Sequence, residues 1–536
     1  MDGAAPSFGA LDEGKMTCHY SLDSLAVRGC RLFGWGFCLD PLSELKDGKL
    51  LLPLVDGRWH EIALLPGGYR EDLVLSFPDV PHAGAAGFML RATLPASPAG
   101  GEAKLCFRRA EEWIELPLPG FPDAFALPQT IPVRSVFQRF LQIRRQRGWG
   151  AALKAALRGG MQRLAGLRML NVRWPTRSVI LLDHGMGGGA TRYGESRLAF
   201  WLSSGRTVVK VVPQASTLDF RIEIYDGSGR SELSVPSQNE LLEILERLDA
   251  DVLEINSLVG FEDVPAVTAW ASVWRRARQN RHLRFNLHDF HSVCPAFTLV
   301  DSDGRFCGVP KKERCVECLP KNAISTLGLD IHRDIAEWRG AWRDLLAACD
   351  HIAAFSMPSV TLLRRAHPEL RSGQVGIVGH EGGGKGLRRV APAKVRPGVV
   401  AVLGHINRAK GADLLRALAE ASEISGRPLE FIVFGTLEGG GAGLGSLRVL
   451  GSYTRETLCD RIEAAGVSLA LLPSVCPETY SYVVDEIMEM GLPLAVLDRG
   501  APPERVRHYP LGRVLKGDDP SSLFIQLLEF SEALRK

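Results

Sequence analysis

The 536-residue chain lacks any uncharged apolar run near the ~20 residues that a membrane-spanning helix needs; runs such as Leu32–Leu39 and Leu492–Leu497 fall far short. Its start, MDGAAPSFGALDEGK, has neither a basic opening nor an apolar stretch, which argues against a secretory signal. Cysteine is sparse, eleven residues without the density of a disulfide scaffold, so the thiols read as reduced or metal-bound in a cytoplasmic protein. A complete GxGxxG fingerprint is missing as well. DHGMGGGA at 183–190 is only a fragment of it, no P-loop lysine follows, and no Tyr-x3-Lys pair stands at a useful position. These gaps argue against an NAD-dependent nucleotide-sugar enzyme.

What remains is the balance of an ordinary globular protein, 46% hydrophobic and 23% charged, long enough for two to four domains. The net charge of +3 hides an asymmetry. From Arg134 to Arg177 stand eleven Arg or Lys and no Asp or Glu, so the remainder, +3 less eleven, carries −8. One concentrated basic segment implies a local anionic partner, not nucleic acid. Phe137, Phe140, Leu141, Ile143, Leu153, Leu157, Met161 and Leu164 interleave with the arginines. That pattern predicts a basic amphipathic helix over 129–176, lying on an anionic membrane surface or packed as a linker along the acidic remainder of the chain.

Residues 1–128 read as short strands broken by DG, PGG, PHAG and SPAGG turns, among them EDLVLSF and GFMLRATL. This spacing predicts a β-sandwich-like accessory domain. From Ser178 apolar strands alternate with helices: SVILLDHG, TVVKVVP, DVLEINS, RFNLHDF and HIAAFS, with helices at 238–248, 264–278 and 334–349. A Gly-, Pro- and Lys-rich stretch at 379–398 reads as a hinge. A second series follows, VVAVLGHI, LEFIVFG, LRVLGS, VSLALLPS, LPLAVLD and GRVLKG. The prediction is an α/β protein with two Rossmann-like lobes, 177–385 and 386–536, each with a parallel doubly wound sheet, and a ligand cleft between their carboxyl ends.

Four places carry chemistry. The loop after SVILL holds Gly187, Gly188 and Gly189 before a helix; glycines admit a phosphate close to the backbone and the helix N-terminus favours an anion, although a bare βα turn would also use glycine. In CPETYSYVVDEIMEMGLPLAVLDRGAPPERV, 476–506, Glu478 sits on a loop after a strand and Glu486 eight residues on in a helix. Carboxylates there suit neutral sugar and ribose hydroxyls. VLGHINRAKGADLL, 402–415, offers Lys410 and Arg408 at a strand–loop–helix turn, and NLHDFHSVCP, 286–295, offers His288, Asp289 and His291, the last as a core or metal-adjacent residue.

The 476–506 stretch resembles the PE-x7-E signature of retaining glycosyltransferases of family 4, which have the two-lobed GT-B architecture. By that resemblance Glu478 contacts donor-sugar hydroxyls, Glu486 the ribose, and Thr479, Tyr480 and Ser481 supply amides near a diphosphate. Glu504 matches a following acidic position, Lys410 pairs with the diphosphate, and His288 lines the cleft beside the sugar. One departure stands out: where the family often has arginine after the first glycine, this chain has His405, leaving Arg408 to reach the phosphates. The resemblance covers about 178–536. It implies retaining transfer of a hexose or deoxyhexose from a nucleotide-diphosphate sugar to a surface-glycan acceptor, lipid-linked in bacterial relatives. It also implies no catalytic metal, and the sequence agrees: DAD at 249–251 leads into a strand and DSD at 301–303 lies in a cysteine-bearing loop.

That loop, 292–320, holds Cys294, Cys307, Cys315 and Cys318, a C-x12-C-x7-C-x2-C spacing that suggests structural zinc, against four free thiols in an irregular insertion. The expectation is therefore a cytoplasmic glycosyltransferase, peripheral on the inner face of the cell membrane. The competing reading is a catalytically inactive GT-B scaffold or sugar-binding assembly protein.

Overall fold

The computed structural model describes residues 18–121 and 177–535, apart from short breaks at 29, 44, 46, 67–69, 78, 81, 100, 110–111, 216, 228, 323–333, 381–385, 391–394, 427–428 and 442. The basic segment over 134–176, with its membrane-surface expectation, lies outside the described residues. Among the described residues no helix is long and apolar enough to cross a membrane.

The expected architecture is present: two Rossmann-like lobes preceded by an antiparallel β-sandwich. In the sandwich, Trp59–Ala63, Gly48–Pro53, Gly101–Arg109 and Glu112–Phe121 form one four-stranded sheet. His19–Arg28, Arg31–Leu39, Gly87–Thr93 and Leu65–Pro66 form the other. Alternate residues of both, including Leu22, Leu32, Leu90, Leu50, Leu105 and Leu118, bury into one core. The stretch EDLVLSF, expected as a strand, is instead a helix over Glu71–Ser76. Arg70 explains the difference: its guanidinium pairs with Asp72 and with Asp23, fastening a single turn whose Leu73 buries against Leu39 and Ala83.

In the first lobe the strand order is 229–235, 219–226, 208–214, 178–182, 250–255, 282–286, 351–354, 375–377. Six strands are parallel, but the edge is not: Asp219–Asp226 and Gly229–Val235 add an antiparallel hairpin that the reading from Ser178 did not include. The parallel strands are apolar on both faces because helices cover both sides; Trp274, Trp338 and Trp342 lie wholly inside. A buried carboxylate ties this sheet to its first helix, Gly188–Ser203. Glu254 accepts hydrogen bonds from Arg197 (2.7 and 3.1 Å), Trp201 (2.9 Å) and Asn286 (2.8 Å). Burial alone would raise its pKa; those bonds and the Arg197 charge overcome it and hold the carboxyl below its usual value.

The second lobe runs 447–449, 430–437, 399–406, 469–472, 494–497, 512–515, all parallel, the 3-2-1-4-5-6 order of a dinucleotide-type sheet. The order reverses between Val399–Ile406 and Leu469–Leu472, and a crevice opens beyond the carboxyl ends of those two strands. In the first lobe the reversal falls between Ser178–Leu182 and Ala250–Ile255. The sandwich docks on the first lobe. Arg31 pairs with Glu262 and donates to the Pro236 carbonyl (3.2 Å), Arg91 donates to the Gly260 carbonyl (3.3 Å), and Ala26 and Phe33 pack on Leu218.

Replacing Glu254 with alanine strands the Arg197 guanidinium beside a buried gap, so Glu254→Ala is expected to cost about 3 kcal/mol, read as a lower midpoint in thermal or denaturant unfolding.

Candidate functional site between the lobes

The two crevices face each other across a cavity of about 260 Å³. Gly189, Ala190, His288, Asp289, Phe297 and His380 line it from one side, and Asn407, Lys410, Cys476, Glu478, Thr479, Tyr480 and Tyr482 from the other.

On the second lobe, the strand Val399–Ile406 turns into the helix Ala412–Ser425 through Lys410 and Gly411, while Leu469–Leu472 runs into the loop bearing Glu478. Lys410 Nζ stands 3.5 Å from Glu478 Oε1, whose oxygen also accepts from Ser474 Oγ. The Glu478 charge holds the Lys410 pKa above its usual value against burial. Backbone contacts fix both residues. Gly411 takes φ +89°, and a Cβ there would lie 2.1 Å from the Pro473 carbonyl oxygen. Gly500, at φ +69°, packs under the 477–478 peptide, and the Ala501 N–H donates to the Glu478 carbonyl (2.8 Å). The PE motif and the GA turn that follows it are thus one construction.

The first lobe contributes the glycine loop. Asp183, fully buried, accepts from Asn256 (2.8 Å) and faces Lys210 Nζ (3.3 Å), anchoring the loop at its root. Gly187 caps the helix Gly188–Ser203, and both Gly187 and Gly188 have left-handed φ. Gly189 meets the Tyr482 ring, with a hypothetical Cβ only 3.1 Å from two ring carbons. His288 lies on Phe355 (ring centroids 4.4 Å, 27°), and its carbonyl accepts from Thr479 Oγ1 of the other lobe (2.7 Å). Burial, with the neighbouring His380 and His184, keeps its imidazole neutral well below the usual pKa.

Of the expected site residues, Glu478, Lys410, His288, Gly189, Thr479 and Tyr480 line the cavity. Ser481 sits behind it as a buried helix cap whose carbonyl accepts from Arg505. Gly187 and Gly188 look onto open space. Arg408 does not line the cavity: it is exposed and pairs with Asp413 (3.0 Å). His405 bonds Thr436 instead of offering its ring to the cavity. Glu486 is half-buried one turn into the helix Tyr482–Met490, outside the lining, where burial raises its pKa against the pull of Arg455 and Arg192. Glu504 accepts from the Met357 N–H across the lobes (3.3 Å). His291 is core: it packs on Trp338 (4.8 Å), and its carbonyl accepts the Trp338 indole N–H (2.6 Å).

The residue that sequence reasoning missed is His380. It follows the last strand of the first lobe, lies flat on Tyr480 (4.0 Å, 19°) and bonds the Tyr482 hydroxyl through Nδ1 (2.8 Å). Tyr480 in turn donates to Asp485 (2.6 Å) beneath the Arg505 guanidinium. The only signal for His380 was a lone histidine among glycines.

Cys294, Cys307, Cys315 and Cys318 gather around one small hollow, with the latter two on the helix Lys312–Cys318. Burial raises these thiols where a shift is resolved, Cys307 to about 11. Among the described residues no three His, Cys, Asp or Glu side chains stand at metal-holding spacing.

No family model and no curated protein matches the chain. Among solved structures it is similar to sucrose-phosphate synthase from Thermosynechococcus elongatus, at 15% identity and TM-score 0.42, over 67% of this chain and 94% of that one. Anabaena HepE in complex with UDP-glucose is similar at 15% identity and TM-score 0.40, over 66% and 88%. The catalytic domain of starch synthase IV from Arabidopsis thaliana, bound to ADP and acarbose, is similar at 10% identity and TM-score 0.39, over 68% and 93%.

Two outcomes are expected from this geometry. Gly411→Ala forces the 473 and 411 backbones apart and displaces Lys410, lowering the thermal midpoint. The buried imidazoles predict acid sensitivity. His291 and His380 are both held down to about 4 by burial, so between about pH 6.5 and 4 the unfolded chain takes up protons that the folded chain refuses. Stability is therefore full above pH 6.5 and falls as pH drops through that window. His291→Leu, removing a ring whose nitrogens both lack partners among the described residues, should flatten the fall in a pH series of thermal midpoints.

Proposed function

We propose that the chain is a glycosyltransferase that moves a sugar from a nucleotide-diphosphate donor to a glycan acceptor, with the cavity between the lobes as its active site. The observation that carries this reading is the pairing of Lys410 and Glu478 at 3.5 Å, on loops that leave the two strands flanking the reversal of the second sheet. The glycine-loop helix and His288 stand opposite them.

A diphosphate entering this crevice meets Lys410 and the free N–H groups at the start of the helix Gly188–Ser203. Together they offset the charge that develops as the glycosyl bond breaks, in a site lined by Tyr480, Tyr482 and Phe297. Glu478, released from Lys410 by the incoming phosphate, accepts hydroxyls of the sugar; an ionised carboxylate is a stronger partner for a neutral donor than a carbonyl is. His288 and Thr479, joined across the lobes, line the cavity beside the place the sugar would take. The family resemblance of 476–506 supports retention of anomeric configuration, a hexose or deoxyhexose donor and a lipid-linked surface-glycan acceptor. It also supports Glu486 as the ribose partner, which the α-helical turn behind Tyr482 would have to present on closure.

Thermal shift against UDP-, GDP- and dTDP-sugars is expected to show stabilisation by at least one. With that donor, Glu478→Gln and Lys410→Ala should each lower the rate of transfer by about 10²- to 10³-fold, the loss typical of removing one preorganised charge-stabilising group, while the thermal midpoint stays near wild type. Full transfer activity in Glu478→Gln would end the assignment.

A further inference from the structure

Two imidazoles face the cavity, and the second has no role in the reading above. His380 reaches the cavity from the chain that leaves the first lobe after the strand Val375–Ile377. Aromatic rings clamp its own ring on several sides: Tyr480 face to face, Phe355 at 4.2 Å, Tyr193 at 5.0 Å and Tyr482 edge-on at 5.2 Å. Nδ1 is spent on the Tyr482 hydroxyl (2.8 Å). Nε2 is buried and has no partner among the described residues, and neither has Nε2 of His288, whose ring lies 5.8 Å away.

A buried nitrogen without a partner is costly, and its persistence at a cavity wall points to a ligand atom that completes it. Burial and the Arg505 charge keep this ring neutral. A neutral imidazole suits a hydroxyl, to which it donates or from which it accepts; a phosphate would favour Lys410 on the opposite wall. The clamp fixes ring position in advance, so the bond is made without loss of side-chain freedom.

We propose that His380 Nε2 hydrogen-bonds a hydroxyl of the transferred sugar, and so helps to select the sugar by its hydroxyl pattern; the inference rests on the glycosyltransferase reading. Because His380 lies on the crossing between the lobes, its contact with Tyr480 and Tyr482 forms only when the second lobe is in place. The contact with sugar is thereby linked to closure.

The test compares wild type, His380→Phe and His380→Gln. Phenylalanine keeps the stack on Tyr480 and removes both nitrogens; glutamine keeps a polar group. Calorimetric titration with UDP, GDP, dTDP and ADP, then with UDP-glucose, UDP-galactose, GDP-mannose and dTDP-glucose, identifies the donor on wild type. The expected result for His380→Phe is an unchanged Kd for the nucleoside diphosphate alone. Alongside it, kcat/KM for the nucleotide sugar should fall about tenfold, the scale of one lost hydrogen bond in a buried site, with partial recovery in His380→Gln. Wild-type kcat/KM in His380→Phe would overturn the inference, and so would an equal loss for nucleoside diphosphate and nucleotide sugar, since either leaves the ring a packing role. Should His380→Phe unfold, the same comparison is read from His380→Gln, with a smaller selective loss expected and none overturning. Wild type binding none of the eight ligands would overturn the glycosyltransferase reading and this inference together, a failure visible before any variant is made.

Discussion

Two loops leave the second sheet so close together that only glycine fits between them. At Gly411 the backbone passes against the Pro473 carbonyl with no room for a side chain, and the left-handed φ there is one that glycine adopts without strain. That contact brings the end of the first strand of the lobe to the end of the fourth, and so brings Lys410 to Glu478. Gly500 does the same from the other side, tucking the GA turn beneath the 477–478 peptide. A cation and a carboxylate left half-paired at the mouth of a crevice are poorly satisfied alone. They are well placed for a ligand carrying both anionic and hydroxyl groups.

The first lobe meets this pair with contacts that are mostly aromatic or uncharged. Gly189 lies under Tyr482, the Arg192 guanidinium stands over the same ring (4.7 Å), and Thr479 donates to the His288 carbonyl. The two lobes thus share one wall of tyrosines and histidines, all neutral at physiological pH, with the Lys410–Glu478 pair lining the same cavity. Such a wall discriminates by shape and hydrogen-bond pattern more than by charge.

Much of this was legible in the sequence because the relevant signals are local. Strands such as VVAVLGHI and VSLALLPS are buried on both faces of a parallel sheet and read as continuous apolar runs. Glu478 and Lys410 were found because the loops after such runs, 476–506 and 402–415, resemble family motifs that carry them. The hairpin over 219–235 was not included, although RIEIYDG alternates and ends in a turn dipeptide, because the reading there favoured helices between parallel strands. EDLVLSF was misread since a short apolar run is ambiguous without the ion pairs that Arg70 makes to Asp72 and, across 47 residues, to Asp23. His380 was invisible for a different reason. Its significance comes from Tyr480 and Tyr482, a hundred residues on, and its own neighbours read only as a flexible connection. Arg408 shows the converse: a cation at a suitable offset is drawn off by Asp413, five residues on in the first turn of the helix Ala412–Ser425.

The N-terminal sandwich grips the first lobe by an ion pair, two arginine–carbonyl bonds and an apolar patch at Leu218. Toward the second lobe, a Cβ placed on Gly440 would come within 3.9 Å of the Ala85 side chain. The polar bonds to the first lobe have fixed partners and directions, so they set the sandwich's orientation there as well as its position.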